Sequence, residues 1–98
     1  MSVEIAHFYV FGRVQGVGYR AWTVRTALRL GISGWVRNRH NGCVEIYAQG
    51  KTDTLSLFRE SCLQGPLWSR VSRLEAVSVP DGVILPIREN TFYQAPTV

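Results

Sequence analysis

The segment Gly12-Arg13-Val14-Gln15-Gly16-Val17-Gly18-Tyr19-Arg20 joins an alternating apolar stretch to one with helical periodicity, and it contains no acid. The first four amides of any helix lack intrahelical acceptors. Gly18 falls at the cap position, where Ser, Thr, Asp or Asn would supply a side-chain oxygen. The helix start is therefore expected to stay open, with free N–H groups and partial positive charge. Glycines let such a backbone curl around a tetrahedral anion. Arg20 places a cation in the first turn, where the helix dipole disfavours one, and a bound anion would offset it. The chemistry this implies is capture of a phosphate-like group. A plain βα turn with water on its amides is the simpler alternative.

Two better-known phosphate motifs fit less well. Gly16-Val17-Gly18-Tyr19-Arg20-Ala21 matches the relaxed dinucleotide fingerprint after a strand. That fingerprint needs a parallel βαβ unit and an acid ending the second strand, and this chain offers neither. A P-loop is excluded because no Gly-Lys-Ser/Thr follows the glycines.

The elements around this loop follow from periodicity. Val3 to Phe11 alternates as a strand, with Ala6, Phe8 and Val10 on one face and Ile5, His7, Tyr9 and Phe11 on the other. Tyr19 to about Leu30 reads as a helix with an inner stripe of Ala21, Val24 and Leu28, stopped by Gly31. Strands are expected at Gly34–Arg39 and Cys43–Gln49. Asn41-Gly42 between them signals a tight hairpin, since both types tolerate positive φ. Thr52 or Asp53 is positioned to cap a second helix with an inner stripe of Leu55, Phe58 and Cys62, ended by Gln64-Gly65-Pro66. Val71–Val79 is expected to be a fourth strand, Pro80-Asp81-Gly82 a turn, and Thr91–Gln94 a short edge strand.

The order is β-α-β-β-α-β with a possible terminal strand. It predicts an α+β, ferredoxin-like sandwich: an antiparallel sheet of four to five strands with two helices on one face. One domain over residues 1–98 is expected, because 98 residues suffice for a single core and no linker or repeat interrupts them. No apolar run approaches the roughly 20 residues of a membrane-spanning helix. The N-terminus carries no secretory pattern, so the expectation is a cytoplasmic monomer without membrane association.

Charge and cysteines narrow the chemistry further. Residues 1–42 carry six arginines against the single acid Glu4, a net of +5, whereas the remainder nets −1. Lys51 is the only lysine, and arginine's planar fork suits bidentate phosphate contact better than a lysine point charge does. Arg37 and Arg39 either steer an anion or form a solvated face. Cys43 and Cys62 have neither zinc-site spacing nor an arginine six positions on, which excludes a Cys-x5-Arg nucleophile; both read as structural.

Gly12-Arg-Val-Gln-Gly-Val-Gly-Tyr-Arg20, followed by Gly34-Trp-Val-Arg-Asn38 and Gly42-x-Val44-Glu45, resembles the acylphosphatase family. The likeness runs from the first strand to about Val79 and includes Gly65-Pro66. It implies hydrolysis of the carboxyl–phosphate bond of acyl phosphates, with inorganic phosphate as product and competing ligand. It also implies that the backbone of Gln15, Gly16, Val17, Gly18 and Tyr19, with Arg20, binds the phosphoryl group, and that Asn38 orients the attacking water. No cofactor or metal is called for. Gly18-Tyr19 stands where the family often has two aromatics, Asn41 where Asp is frequent, and the tail matches only loosely.

Other readings are set beside this one. An RNA-recognition module shares the element order and would use His7 and Tyr9 on an open sheet face. However, Cys43-Val44-Glu45-Ile46-Tyr47-Ala48-Gln49 lacks the corresponding RNA-binding pattern, so nucleic acid is not expected as a partner. A non-catalytic acylphosphatase-like regulatory segment is the second alternative. His40 reads as a solvated turn residue, and Trp22, Trp35 and Trp68 read as packing residues.

Overall fold

The computed structural model describes residues 3–79 and 85–98. Its elements are β1 (Val3–Arg13), α1 (Tyr19–Arg29), β2 (Ser33–Asn38), β3 (Val44–Lys51), α2 (Thr52–Gln64), β4 (Arg70–Val77) and β5 (Phe92–Gln94). The sheet order is β4-β1-β3-β2-β5. The first four strands pair antiparallel, as expected of the ferredoxin-like α+β arrangement. β5 instead runs parallel to β2, so the sheet is mixed rather than wholly antiparallel. The chain reaches β5 from β4 at the opposite edge of the sheet, and the segment between the parallel partners β2 and β5 contains β3, α2 and β4, well beyond the crossover length that parallel pairing needs. The Pro80-Asp81-Gly82 turn lies outside the described residues.

One face of the sheet packs on the helices. Phe8, Val10, Val36, Val44 and Ile46 meet Tyr19, Ala27, Leu55, Phe58 and Cys62 there. The α2 stripe of Leu55, Phe58 and Cys62 is buried as its periodicity indicated. α1 differs, because its buried positions are Tyr19, Thr23, Thr26 and Ala27, while Leu28 is half exposed. Thr23 donates its hydroxyl to the Tyr19 carbonyl at 2.8 Å, so the group is satisfied and its methyl can pack.

The ends of α1 and α2 are set by backbone geometry. Gly31 ends α1 with φ 73°, and the Gly31 and Ile32 amides donate to the Leu28 and Ala27 carbonyls. α2 has Lys51 at its N-cap with no side-chain cap bond. Thr52 is instead the first helical residue and donates to Glu4 Oε1 at 2.5 Å. In the β2–β3 turn Gly42 alone takes positive φ, and Asn41 Oδ1 accepts from the Cys43 amide at 3.1 Å. Both cysteines are free and buried, and burial pushes the Cys62 thiol up to about 12.

The second sheet face is not the open surface that a sandwich with both helices on one side implies. Trp35, Tyr47 and Ala95 are buried there with Leu85, Ile87 and Tyr93 packed against them. Trp35 Nε1 donates to the Leu85 carbonyl at 3.0 Å. His7, expected to be exposed, is 5% accessible. Trp68, expected to pack, is 75% exposed in the turn after α2.

A buried carboxylate organises this face. Glu45 is 1% accessible and lies 2.6 Å from His7 Nε2, 2.7 Å from Arg37 Nε, 3.2 Å from Arg39 Nη1 and 3.3 Å from the Tyr9 hydroxyl. Arg37 also stacks over Trp35, 4.7 Å from the ring centroid. The two arginines are therefore committed to Glu45, which replaces the substrate-steering and solvated-face readings. Burial alone would raise the Glu45 pKa, but hydrogen bonds from Arg37 and His7 outweigh it and hold the carboxyl below its ordinary value of 4.5.

Removing this charge leaves two guanidiniums uncompensated. Glu45→Gln is expected to lower unfolding free energy at pH 7 by about 3 kcal/mol, toward the low end for a broken buried pair because both arginines reach solvent. A group whose folded pKa is depressed contributes above its unfolded value and loses that contribution as pH falls through the folded one. Urea denaturation at descending pH should therefore show the gap between wild type and Glu45→Gln closing in acid.

Candidate functional site

Near the end of β1 the register against β4 shifts between Phe11 and Gly12, and pairing resumes with Gly12 opposite Val71 and Arg13 opposite Arg70. Gly12 has φ 121°, and a Cβ there would overlap the Arg70 carbonyl. The chain then passes through Val14, which is buried and anchors the loop, to Gly16 and Gly18 with φ 73° and 79°. A Cβ at either would meet nothing within 4 Å. Glycine is needed at these two positions for their backbone angles, not for space.

α1 begins as its sequence indicated. Gly18 is the N-cap, no side chain caps it, and no acid stands in the first turn. The earliest helical bond runs from the Trp22 amide to the Gly18 carbonyl at 3.1 Å. Among the described residues, no protein oxygen accepts from the amides of Gln15 through Ala21. Tyr19 fixes the start of the helix by donating its hydroxyl to the Cys62 carbonyl at 2.6 Å. Burial raises the Tyr19 phenol far above its ordinary value, so it remains a neutral donor.

Arg20 belongs to none of the ion pairs among the described residues. Together with Gly16, Gly18, Tyr19 and Gln94 it lines a cavity of about 120 Å³. One water occupies about 30 Å³ of liquid, so a tetrahedral anion fits this space. Open amides, a positive helix end and an unpaired guanidinium make the cavity suited to such an anion.

Asn38 lies at the same end of the sheet. It closes β2 opposite Val44, which itself pairs with Val10 just before the loop. Asn38 Oδ1 is buried without a hydrogen-bond partner among the described residues. An unpaired buried polar atom costs roughly 1–3 kcal/mol, so its retention calls for an explanation. Asn38 is not a wall of the cavity. Gln15 bridges the two regions, its Nε2 donating at 2.8 Å to both the Arg39 and Cys43 carbonyls.

The structure thus brings Gln15, Gly16, Val17, Gly18, Tyr19 and Arg20 into one loop and helix start, with Asn38 tied alongside. Val17 is half-buried against the core and offers only its backbone. His40 is an exposed turn residue, as expected. Sequence reasoning missed Gln94, the clasping role of the Gln15 side chain, and Glu45 behind Asn38. Gln94 gives no local signal. Glu45 gives one, because counting the β2–β3 hairpin from its turn sets this lone acid opposite Arg37.

Comparisons with known proteins show the family and fold of the chain. A family profile described as Acylphosphatase matches residues 6–83. An acylphosphatase of Nitrobacter winogradskyi is 44% identical over 99 aligned positions, covering 100% of both chains. The crystal structure of an acylphosphatase from Bacillus subtilis superposes with a TM-score of 0.80 at 30% identity, covering 96% of this chain and 99% of that one. An acylphosphatase structure from Coxiella burnetii gives a TM-score of 0.77 at 30% identity, covering 95% and 93% of the two chains.

The loop's dependence on positive φ is directly measurable. Gly16→Ala should destabilise the protein by about 1–2 kcal/mol in urea, the cost of a Cβ in the left-handed region. It should also weaken inorganic phosphate binding in a calorimetric titration, because relief of that strain would turn the loop amides.

Proposed function

This chain belongs to the acylphosphatase family and hydrolyses acyl phosphates to a carboxylate and inorganic phosphate; on that premise we propose that the reaction runs at the Gln15–Arg20 cradle with water placed by Asn38. The amides of Gln15 through Tyr19 and the Arg20 guanidinium receive the phosphoryl oxygens. The amides are fixed before substrate arrives, so little reorganisation accompanies charge build-up. The planar Arg20 guanidinium forks two oxygens.

Asn38 Oδ1 accepts a hydrogen from water and aims the water's lone pair at phosphorus. The new O–P bond forms as the bond from phosphorus to the carboxyl oxygen breaks, and the carboxylate leaves with the electron pair. An amide is too weak a base to take the water's proton, so a phosphoryl oxygen of the substrate takes it. The leaving group is already stabilised, and positioning with charge neutralisation meets most of what phosphoryl transfer requires. Neither a metal nor an enzyme nucleophile is needed in this scheme.

The observation that carries the proposal is the buried Asn38 Oδ1, unpartnered among the described residues, beside a helix start with open amides. A non-catalytic regulatory role would leave that desolvated oxygen without a use. The RNA-binding reading is disfavoured because His7 is buried against Glu45 and the adjoining sheet face is packed by Trp35 and Tyr47. We read the protein as a cytoplasmic monomer, the default for a hydrolase of this size.

Initial rates with an aryl acyl phosphate in the presence of a chelator test the assignment. Arg20→Ala and Asn38→Ala should each lose about 100-fold or more in kcat/KM, as for removal of one preorganised donor, while keeping native circular dichroism. Arg20→Ala should also lose competition by inorganic phosphate, whereas Asn38→Ala should retain it. Near-normal turnover by folded Asn38→Ala removes the water-placing role.

A further inference from the structure

Among the described residues Asn38 Oδ1 has no hydrogen-bond partner, and β2 leaves its ladder at this residue. The backbone on either side of Asn38 therefore bears on where its side chain points. Strand alternation sends the Arg37 and Arg39 side chains to the face opposite Asn38. Both guanidiniums end on the same oxygen, Glu45 Oε1, at 2.7 and 3.2 Å. The other carboxylate oxygen is held by His7 at 2.6 Å and Tyr9 at 3.3 Å. Glu45 lies across the ladder from Arg37 on one side and from Tyr9 on the other. Resting on the water-placing role of Asn38, we infer that Glu45 is a positioning residue for the hydrolysis, gripping Arg37 and Arg39 from the far sheet face so that Asn38 is held toward the phosphate loop.

Two further contacts make the grip directional. The Arg39 amide donates to the Cys43 carbonyl at 2.9 Å, and the Arg39 carbonyl accepts from Gln15. Arg39 is thus fixed at its side chain by Glu45 and at its main chain by the loop, with Asn38 immediately before it. Arg37 is held on the other side by Glu45 and by its stacking on Trp35. A stability role alone does not call for this arrangement, because a buried ion pair is often matched or bettered by apolar residues of equal volume.

A double-mutant cycle separates positioning from stability. Glu45→Gln keeps the side-chain shape and should lower kcat about tenfold, less than the roughly 100-fold cost of a full 1 Å misplacement. KM and inhibition by inorganic phosphate should stay within about twofold, since the cradle and Arg20 are on the other face. In the Asn38→Ala background the same substitution should cost less than about twofold in kcat, because the residue it positions is gone. Arg39→Met, which removes the guanidinium and keeps the stem, should show the same pattern and serves if Glu45→Gln does not fold. A loss of kcat that persists undiminished in the Asn38→Ala background, or a loss confined to KM and phosphate inhibition, overturns the inference and leaves the proposed function intact. Near-normal turnover by Asn38→Ala itself overturns the proposed function and this inference with it.

Discussion

Among the described residues the first turn of α1 presents donors without acceptors, and the rest of the site is arranged around that imbalance. An uncapped helix start beside a guanidinium is electrostatically unfavourable in isolation, because positive partial charge and positive charge face the same space. Gly18 supplies no side-chain acceptor, and the first turn contains no acid to neutralise it. The fold supplies rigidity instead: Tyr19 is bolted to Cys62 on α2, and Val14 is sunk in the core. A rigid electrostatic site of this kind favours a tetrahedral anion over the flexible, solvated loop that the same glycines would otherwise form.

What the sequence made legible were features whose signal is local. The alternation through Ala6, Phe8 and Val10 reports one-sided burial directly, and the glycines at 16 and 18 announce a backbone that ordinary residues avoid. The buried face of α1 was misread because Thr23 and Thr26 are polar by type yet packed in place. The second core was illegible because Leu85, Ile87 and Tyr93 carry no regular period and meet Trp35 and Tyr47 across a long stretch of chain. Asn38 shows the same limit at the site. A single amide in a strand says nothing by itself, and only resemblance to a family pointed to it before its lone buried oxygen was seen.

The two faces of the sheet divide the work. The helix face carries the cradle and Asn38, while the opposite face carries a desolvated carboxylate with its four partners. One carboxylate offsets one of the two guanidinium charges on that second face, so the positive potential of Arg37 and Arg39 is reduced before it reaches substrate. Arg20 is left as the guanidinium that lines the cavity.

The strand order has a kinetic consequence. β1 occupies an interior place between β3 and β4, neither of which adjoins it in sequence, and β5 docks on β2 only after the whole chain between them has been laid down. The loop, Asn38 and Gln94 come from three separate stretches that share a neighbourhood only through these distant pairings. Contacts of high sequence separation form slowly because loop closure must precede any gain from pairing. Refolding should therefore deliver helix and compactness well before it delivers turnover, and a partly assembled chain has no cradle to work with.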